Sequence, residues 1–360
     1  MQPFKILHIT ETFAAGVYLY IRDLCRFTEL HGGTKNFIIY SGKRQDTSFH
    51  KFLQDFSENT VLTRIDMKRE ISPIDDFRAV AKLSKLIKEI NPSIIHLHSS
   101  KAGALGRIAS VNYSGKVFYT PNGYAFLRTD ISIFRRMVYR LSESILSKIF
   151  KAVIIACGDS EYEFAKKMGK AFVVRNSVNV EEITKYNSGE KNNRIVIGTI
   201  GRLCEQKNPV LFNRLAERFP EISFVWIGDG ELRDRLKFKN IEVTGWLDRE
   251  KALKRLSGFD IYIQTSSWEG LPFTLLEAMA MGKPVVVSSV AGNKDAVRHG
   301  ENGFLCESLD DFESNLKKLL NDSEKRDIMG DQSLVLVKEF FNRERNLKKI
   351  LDIYREYPKS

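Results

Sequence analysis

Two glutamates in the stretch WEGLPFTLLEAMAMGKPVVV, Glu269 and Glu277, are the side chains whose type and spacing point most directly to chemistry. Glu269 lies in a polar loop, whereas Glu277 interrupts an apolar run where a carboxylate is costly unless it meets a partner. Carboxylates so placed can stabilise a carbon that gains positive charge and can accept hydrogen bonds from hydroxyls. Arg202 and Lys207, in GRLCEQKN, bring the opposite charge to a turn that opens a helix at Asn208-Pro209. Two cations beside a helix N-terminus suit a diphosphate. Ala14-Ala15-Gly16 forms a second small-residue turn where backbone can approach an anion closely. It lacks a full GxGxxG, and an ordinary strand-to-helix turn explains it equally well.

His96 and His98 alternate in HLHSS and so share one side of a strand. A metal pair is set aside, because no third ligand stands nearby and zinc sites take at least three protein ligands; structural or substrate-facing roles remain. The small polar loop after them, with Lys101, either lines an acceptor site or merely turns the chain. Asn122-Gly123 closes another strand end. Cys25, Cys157, Cys204 and Cys306 are scattered without CxxC spacing, which argues against a zinc site and a disulfide framework and fits a reducing cytoplasm.

The elements that would hold these residues follow from periodicity. Pro272 is suited to the first helical position, Gly282 and Pro284 end that helix, and Val285–Val287 reads as a buried parallel strand. The same alternation runs through the chain, with strands expected near 5–10, 36–40, 61–65, 93–97, 117–120 and 152–157. After a polar stretch at 176–194 it resumes near 195–200, 222–227, 241–244, 260–264 and 285–288. The class is α/β, with mostly parallel sheets whose ligands bind beyond the carboxyl ends of the strands. A length of 360 residues suits two domains. They are expected at 1–180 and 190–340, with a helical tail over 341–360 packing back toward the first. No signal peptide and no membrane-spanning run of 18 apolar residues is visible.

The net charge of +11 is carried by one half: residues 1–180 hold 27 Lys and Arg against 16 Asp and Glu, and residues 181–360 hold 29 of each. The first half should therefore meet an anionic surface or ligand. Within it, Arg128–Lys151 carries Arg135, Arg136 and Arg140 beside apolar residues at near-helical spacing. Such a helix can rest on an anionic membrane; the plainer expectation for its apolar stripe is that it faces the core.

GRLCEQKN, GDGELRDRL, the run from Thr244 to Val286 and AGNKDAVRHGENGFL together resemble the retaining GT-B glycosyltransferases of the GT4 type, closely over the second half and more loosely over the first. The resemblance implies two Rossmann-like, doubly wound domains facing across a cleft. It also implies a nucleotide-diphosphate sugar as co-substrate, with no further cofactor. Glu269 matches the glutamate assigned to the donor sugar near the reacting carbon, and Glu277 the one assigned to the ribose. Arg202 and Lys207 match the diphosphate-binding pair and Gly16 the glycine loop near the donor phosphates. Backbone amides at Phe273 and Thr274 are expected to help hold the diphosphate. Two departures stand out: Asn122 replaces a histidine common in relatives and cannot carry a proton, and Gly292-Asn293 with Asp295 replaces a Gly-Gly-acid pattern. With no Asp-x-Asp motif, no metal is expected in the reaction.

The expected activity is transfer of a hexose or hexose derivative from a UDP- or GDP-sugar to a glycan acceptor, lipid-linked, as in surface-polysaccharide assembly. Asn122 joins Glu269 as a catalytic candidate, and His98, Lys101, Arg135, Arg136 and Arg140 are expected on the acceptor or membrane side. The location expected is cytoplasmic, peripheral at the inner face of the cell membrane. An epimerase of the same architecture is the alternative enzyme. Nucleic-acid binding, suggested by charge alone, is disfavoured by the lack of any recognition motif.

Overall fold

A computed structural model describes residues 4–44, 54–150, 152–187 and 194–356. Lys151 and part of the polar stretch expected to join the domains, residues 188–193, lie outside them. The chain divides into two compact units. One comprises Met1–Phe126, Ile133–Arg175 and Glu344–Ser360; the other comprises Leu127–Ser132 and Asn176–Arg343.

The first unit is built on seven strands: β1 (Lys5–Thr10), β2 (Lys35–Tyr40), β3 (Thr60–Arg64), β4 (Ile94–His98), β5 (Lys116–Thr120), β6 (Val153–Ala156) and β7 (Ala171–Val173). Their order is β3-β2-β1-β4-β5-β6-β7, all pairs parallel. The second unit carries β8 (Val196–Ile200), β9 (Ser223–Ile227), β10 (Ile241–Val243), β11 (Ile261–Gln264), β12 (Val285–Ser288) and β13 (Gly303–Cys306). They are ordered β10-β9-β8-β11-β12-β13, again parallel throughout.

Both sheets are doubly wound. The chain moves outward from β1 to β3 and then returns to pair β4 with β1; β11 returns to β8 in the same way. Connections after the two central strands therefore leave in opposite directions and open a crevice at the carboxyl ends. In the first unit that crevice lies between the loops after β1 and β4, in the second between those after β8 and β11.

Apolar strands such as SFVWI and VVVS are buried because helices cover both sheet faces. The second core gathers Phe212, Phe224, Trp226, Ile263, Val286 and Leu316. One glycine there is compulsory: Gly228 follows β9 at φ 131°, and a Cβ on it would come within 2.2 Å of the Gly201 carbonyl oxygen. The loop bearing Arg202 is thereby packed directly against the end of β9. Sequence reasoning placed Pro272 inside the helix, but it is the N-cap, extended at φ −75° and ψ 130°, and the helix proper is Phe273–Ala280.

Candidate functional site

At the crevice of the second sheet, the loop after β8 and the loop after β11 are tied together. Ser267 N donates to the Gln206 carbonyl, and the Thr265 hydroxyl to the Lys207 carbonyl. This brings Lys207 Nζ to 2.5 Å from Glu269 Oε1. Ser266 Oγ and Gln264 Nε2 donate to the same oxygen at 2.7 and 3.0 Å, and Gln206 Nε2 reaches Oε2 at 3.3 Å. Glu269 is thus a carboxylate only 5% exposed, held by four donors. Burial would lower the Lys207 ammonium, but the Glu269 carboxylate overrides it and holds Lys207 above its usual range. Arg202 stands apart on the surface, 3.3 Å from Glu231. The two cations expected to act as a pair therefore differ: one is built into the carboxylate's support, and the other is exposed.

Pro272 caps the next helix without a side-chain hydrogen bond, and Leu276 N is the first to reach back, to the Pro272 carbonyl. The amides of Phe273, Thr274 and Leu275 precede that first bond and so have no partner within the helix. Glu277 is buried on this helix between Leu276 and Ala278 and meets the Arg249 guanidinium. Helix Ala291–Ala296 packs so tightly against the Glu269 loop that a Cβ on Gly292 would overlap the Gly270 carbonyl. Asn293, fully buried, accepts from Gln264 at 3.2 Å and donates to the Ser288 carbonyl. The departure noted at Gly292-Asn293 thus sits directly behind Glu269.

The first sheet uses its crevice differently. Gly16 is the second residue of helix Ala15–Gly32, whose first turn carries no acidic residue. His98, expected on the acceptor side, is fully buried and shares a 3.1 Å hydrogen bond with His8 Nδ1. His96 is bonded to the Tyr354 hydroxyl and to Thr120. His8, His96 and His98 thereby gather within 4.8 Å, so the third imidazole missing from the sequence reading exists, on β1. Burial drives His8 down to about 4 and the other two well below their usual value. Ring nitrogens of the cluster are engaged with one another and with Tyr354 and Thr120. We read the cluster as a hydrogen-bonded polar core. Lys101 is likewise enclosed, 2.6 Å from Asp76 and bonded to the Glu70 carbonyl. Asn122 sits after β5 at φ 53°, a conformation that asparagine tolerates well, with its Nδ2 buried and unbonded among the described residues.

Helix Ile133–Ile149 overturns the plainer expectation. Its one buried residue is Glu143, which takes Arg107 at 2.6 Å and the Tyr119 hydroxyl at 2.7 Å. With that carboxylate turned inward, the apolar stripe Ile133, Phe134, Met137, Leu141, Ile145 and Ile149 faces outward, Phe134 being 73% exposed. Arg135 and Arg140 are exposed, whereas Arg136 donates inward to the Phe126 carbonyl. Among the described residues no helix is long and apolar enough to cross a membrane.

Five contributors escaped the sequence, Ser266 in the polar loop before Glu269 among them. Gln264 had a signal, a polar residue ending an apolar strand, and so did His8 in KILHIT; Gln206 and Arg249 had none.

Two doubly wound parallel sheets of this kind make up the GT-B fold. Solved structures agree: sucrose-phosphate synthase from Thermosynechococcus elongatus aligns with a TM-score of 0.80 at 15% identity over 98% of both chains. Anabaena Alr3699/HepE in complex with UDP-glucose aligns at 0.77 and 19% identity over 98% of this chain and 99% of that one. Residues 180–334 match the family model for glycosyl transferases group 1, and residues 48–158 that for glycosyl transferase 4-like. The chain is 32% identical over 318 residues to the UDP-Gal:alpha-D-GlcNAc-diphosphoundecaprenol alpha-1,3-galactosyltransferase of Escherichia coli, covering 79% of this chain and 81% of that protein. It is 26% identical to the O-antigen biosynthesis glycosyltransferase WbnH of Escherichia coli, over 69% and 73% of the two chains. The chain belongs to the group 1, GT4-like family and is a glycosyltransferase. Epimerisation and nucleic-acid binding fall behind that membership.

Proposed function

We propose that this enzyme transfers a hexose, galactose first among the candidates, from a UDP-sugar to a sugar carried on a diphosphate lipid during surface-polysaccharide assembly. Retention of configuration and independence from divalent metal are part of the proposal. The single observation that carries it is the buried Glu269 carboxylate, held by Lys207, Ser266, Gln264 and Gln206 beside an open helix N-terminus.

In this reading the C1–oxygen bond of the donor breaks as the acceptor hydroxyl bonds to the same face of C1. The hydroxyl proton passes to the departing diphosphate. Charge accumulates on that diphosphate, where Arg202, Lys207 and the amides of Phe273 and Thr274 stabilise it. Glu269 faces the carbon that becomes cationic and orients sugar hydroxyls, and Glu277 accepts from the ribose. Gly16 is assigned to a donor phosphate and the unbonded Asn122 amide to a sugar hydroxyl. The outward apolar stripe of helix Ile133–Ile149, flanked by Arg135 and Arg140, supports peripheral attachment to an anionic membrane from the cytoplasmic side. His98 and Lys101 are enclosed and take no acceptor role.

The test is incubation of the enzyme, in EDTA, with UDP-galactose, UDP-glucose, UDP-N-acetylglucosamine or GDP-mannose and a GlcNAc-diphosphate lipid, with product linkage read by NMR. An α-linked galactoside is expected. A β-linked product would overturn retention, activity only after added magnesium or manganese would overturn metal independence, and no transfer from any UDP-sugar would overturn the donor assignment.

A further inference from the structure

Glu277 raises a physical question that its proposed contact with a ribose does not answer. Glu277 is a residue only 4% exposed, with Leu276 and Ala278 beside it in the chain, and a polar group so buried needs a partner before any ligand arrives. The partner is Arg249, the first residue of helix Arg249–Ser257, which begins at the Asp248 N-cap. Both belong to the second unit. Arg249 Nη1 donates to Oε1 of Glu277. An ionised carboxylate has two oxygens and about four lone-pair sites, so Oε2 keeps its capacity to accept. The guanidinium side chain is 31% exposed while the carboxylate is 6%, so the arginine spans from solvent to the buried oxygen.

We propose that Arg249 is a positioning residue for the nucleoside end of the donor and a determinant of selectivity for ribonucleotides over deoxyribonucleotides. It fixes Oε1 of Glu277, which leaves Oε2 to accept from a ribose hydroxyl. A site that hydrogen-bonds a hydroxyl through buried polar groups rejects the analogue lacking it, because those groups are then left unmatched. This inference rests on the reading of Glu277 as the ribose-binding carboxylate and adds the group on which that selectivity depends.

The experiment measures equilibrium binding of UDP and GDP, each against its 2′-deoxy counterpart, to the full-length wild type, Arg249→Ala, Arg249→Lys and Glu277→Gln, with thermal melts confirming that each is folded. Wild type is expected to prefer the better ribonucleotide by about tenfold to a hundredfold, the worth of one hydrogen bond to an ionised acceptor. In Arg249→Ala the ratio should fall toward unity, while Arg249→Lys retains most of it. A purely structural role for Arg249 would lower both affinities together and leave the ratio intact. If Arg249→Ala keeps the wild-type ratio while Glu277→Gln loses it, the inference fails and the ribose assignment stands. If Glu277→Gln also keeps the ratio, the ribose is not at Glu277 and both fall. Absence of any nucleotide binding by wild type would instead reject the donor reading itself.

Discussion

The two units repeat one topology and spend it in opposite ways. Beyond β8 and β11 the crevice of the second sheet gathers charge: Lys207 on Glu269, Arg249 on Glu277, and an uncapped helix start between the two glutamates. Within β1 and β4 themselves the first sheet has His8, His96 and His98, neutral and fully buried, with His96 joined to Tyr354 of the C-terminal helix Arg343–Glu356. The same topology thus carries a charged cluster in one unit and a buried polar cluster within the central strands of the other. Chemistry is therefore expected to respond to substitutions at Glu269 and its neighbours, and stability to those at the buried polar groups of the first unit.

The largest effect is expected at Glu269. Replacing it with Ala should lower kcat by about a hundredfold to a thousandfold, the scale seen when one preorganised electrostatic group is removed, with donor affinity changed only modestly. Steady-state kinetics with UDP-galactose beside calorimetric donor binding would show the split. Arg202→Ala, exposed and unburdened by a structural role, should weaken donor binding and turnover together without altering the melting temperature.

In the first unit the corresponding break is Arg107→Ala. It strands the buried Glu143 and should cost about 3–5 kcal/mol of stability, read by urea denaturation. The histidines should make that unit acid-sensitive. Their folded values lie below the unfolded value of 6.5, so the unfolded chain binds more protons as pH falls. Their stabilisation is complete above about pH 6.5 and is lost progressively toward pH 4 and below. His8→Asn should flatten the slope of melting temperature against pH in that window. The smallest effect should come from Arg135 and Arg140: changing both to Ser should reduce binding to anionic vesicles severalfold at low salt and leave turnover on a water-soluble acceptor unchanged.

Much of this contrast could be read in the chain itself. The strand and helix alternation was visible because parallel strands are buried on both faces and leave uninterrupted apolar runs. Glu277 stood out because a carboxylate inside an apolar run needs a partner, and Arg202 and Lys207 because two cations flank a turn that opens a helix. What escaped depends on pairings distant in sequence. His8 meets His96 only because β4 returns to β1, and Arg249 meets Glu277 only through packing of separate helices. The outward turn of the Ile133–Ile149 stripe was hidden as well. A period of 3.6 reveals that a helix has two faces, and here a single buried pair, Arg107 with Glu143, chose which one points in. The edge strand β7, Ala171–Val173, is three half-buried residues long and has too little pattern to register.

The comparison between the units rests most heavily on Glu269, and the isosteric variant Glu269→Gln tests it with least disturbance to packing. The measurement is kcat at saturating UDP-galactose, with the Kd for UDP determined on the same preparation. The account predicts a fall in kcat of at least about a hundredfold with UDP affinity within a few-fold of wild type. Turnover equal to wild type would contradict it.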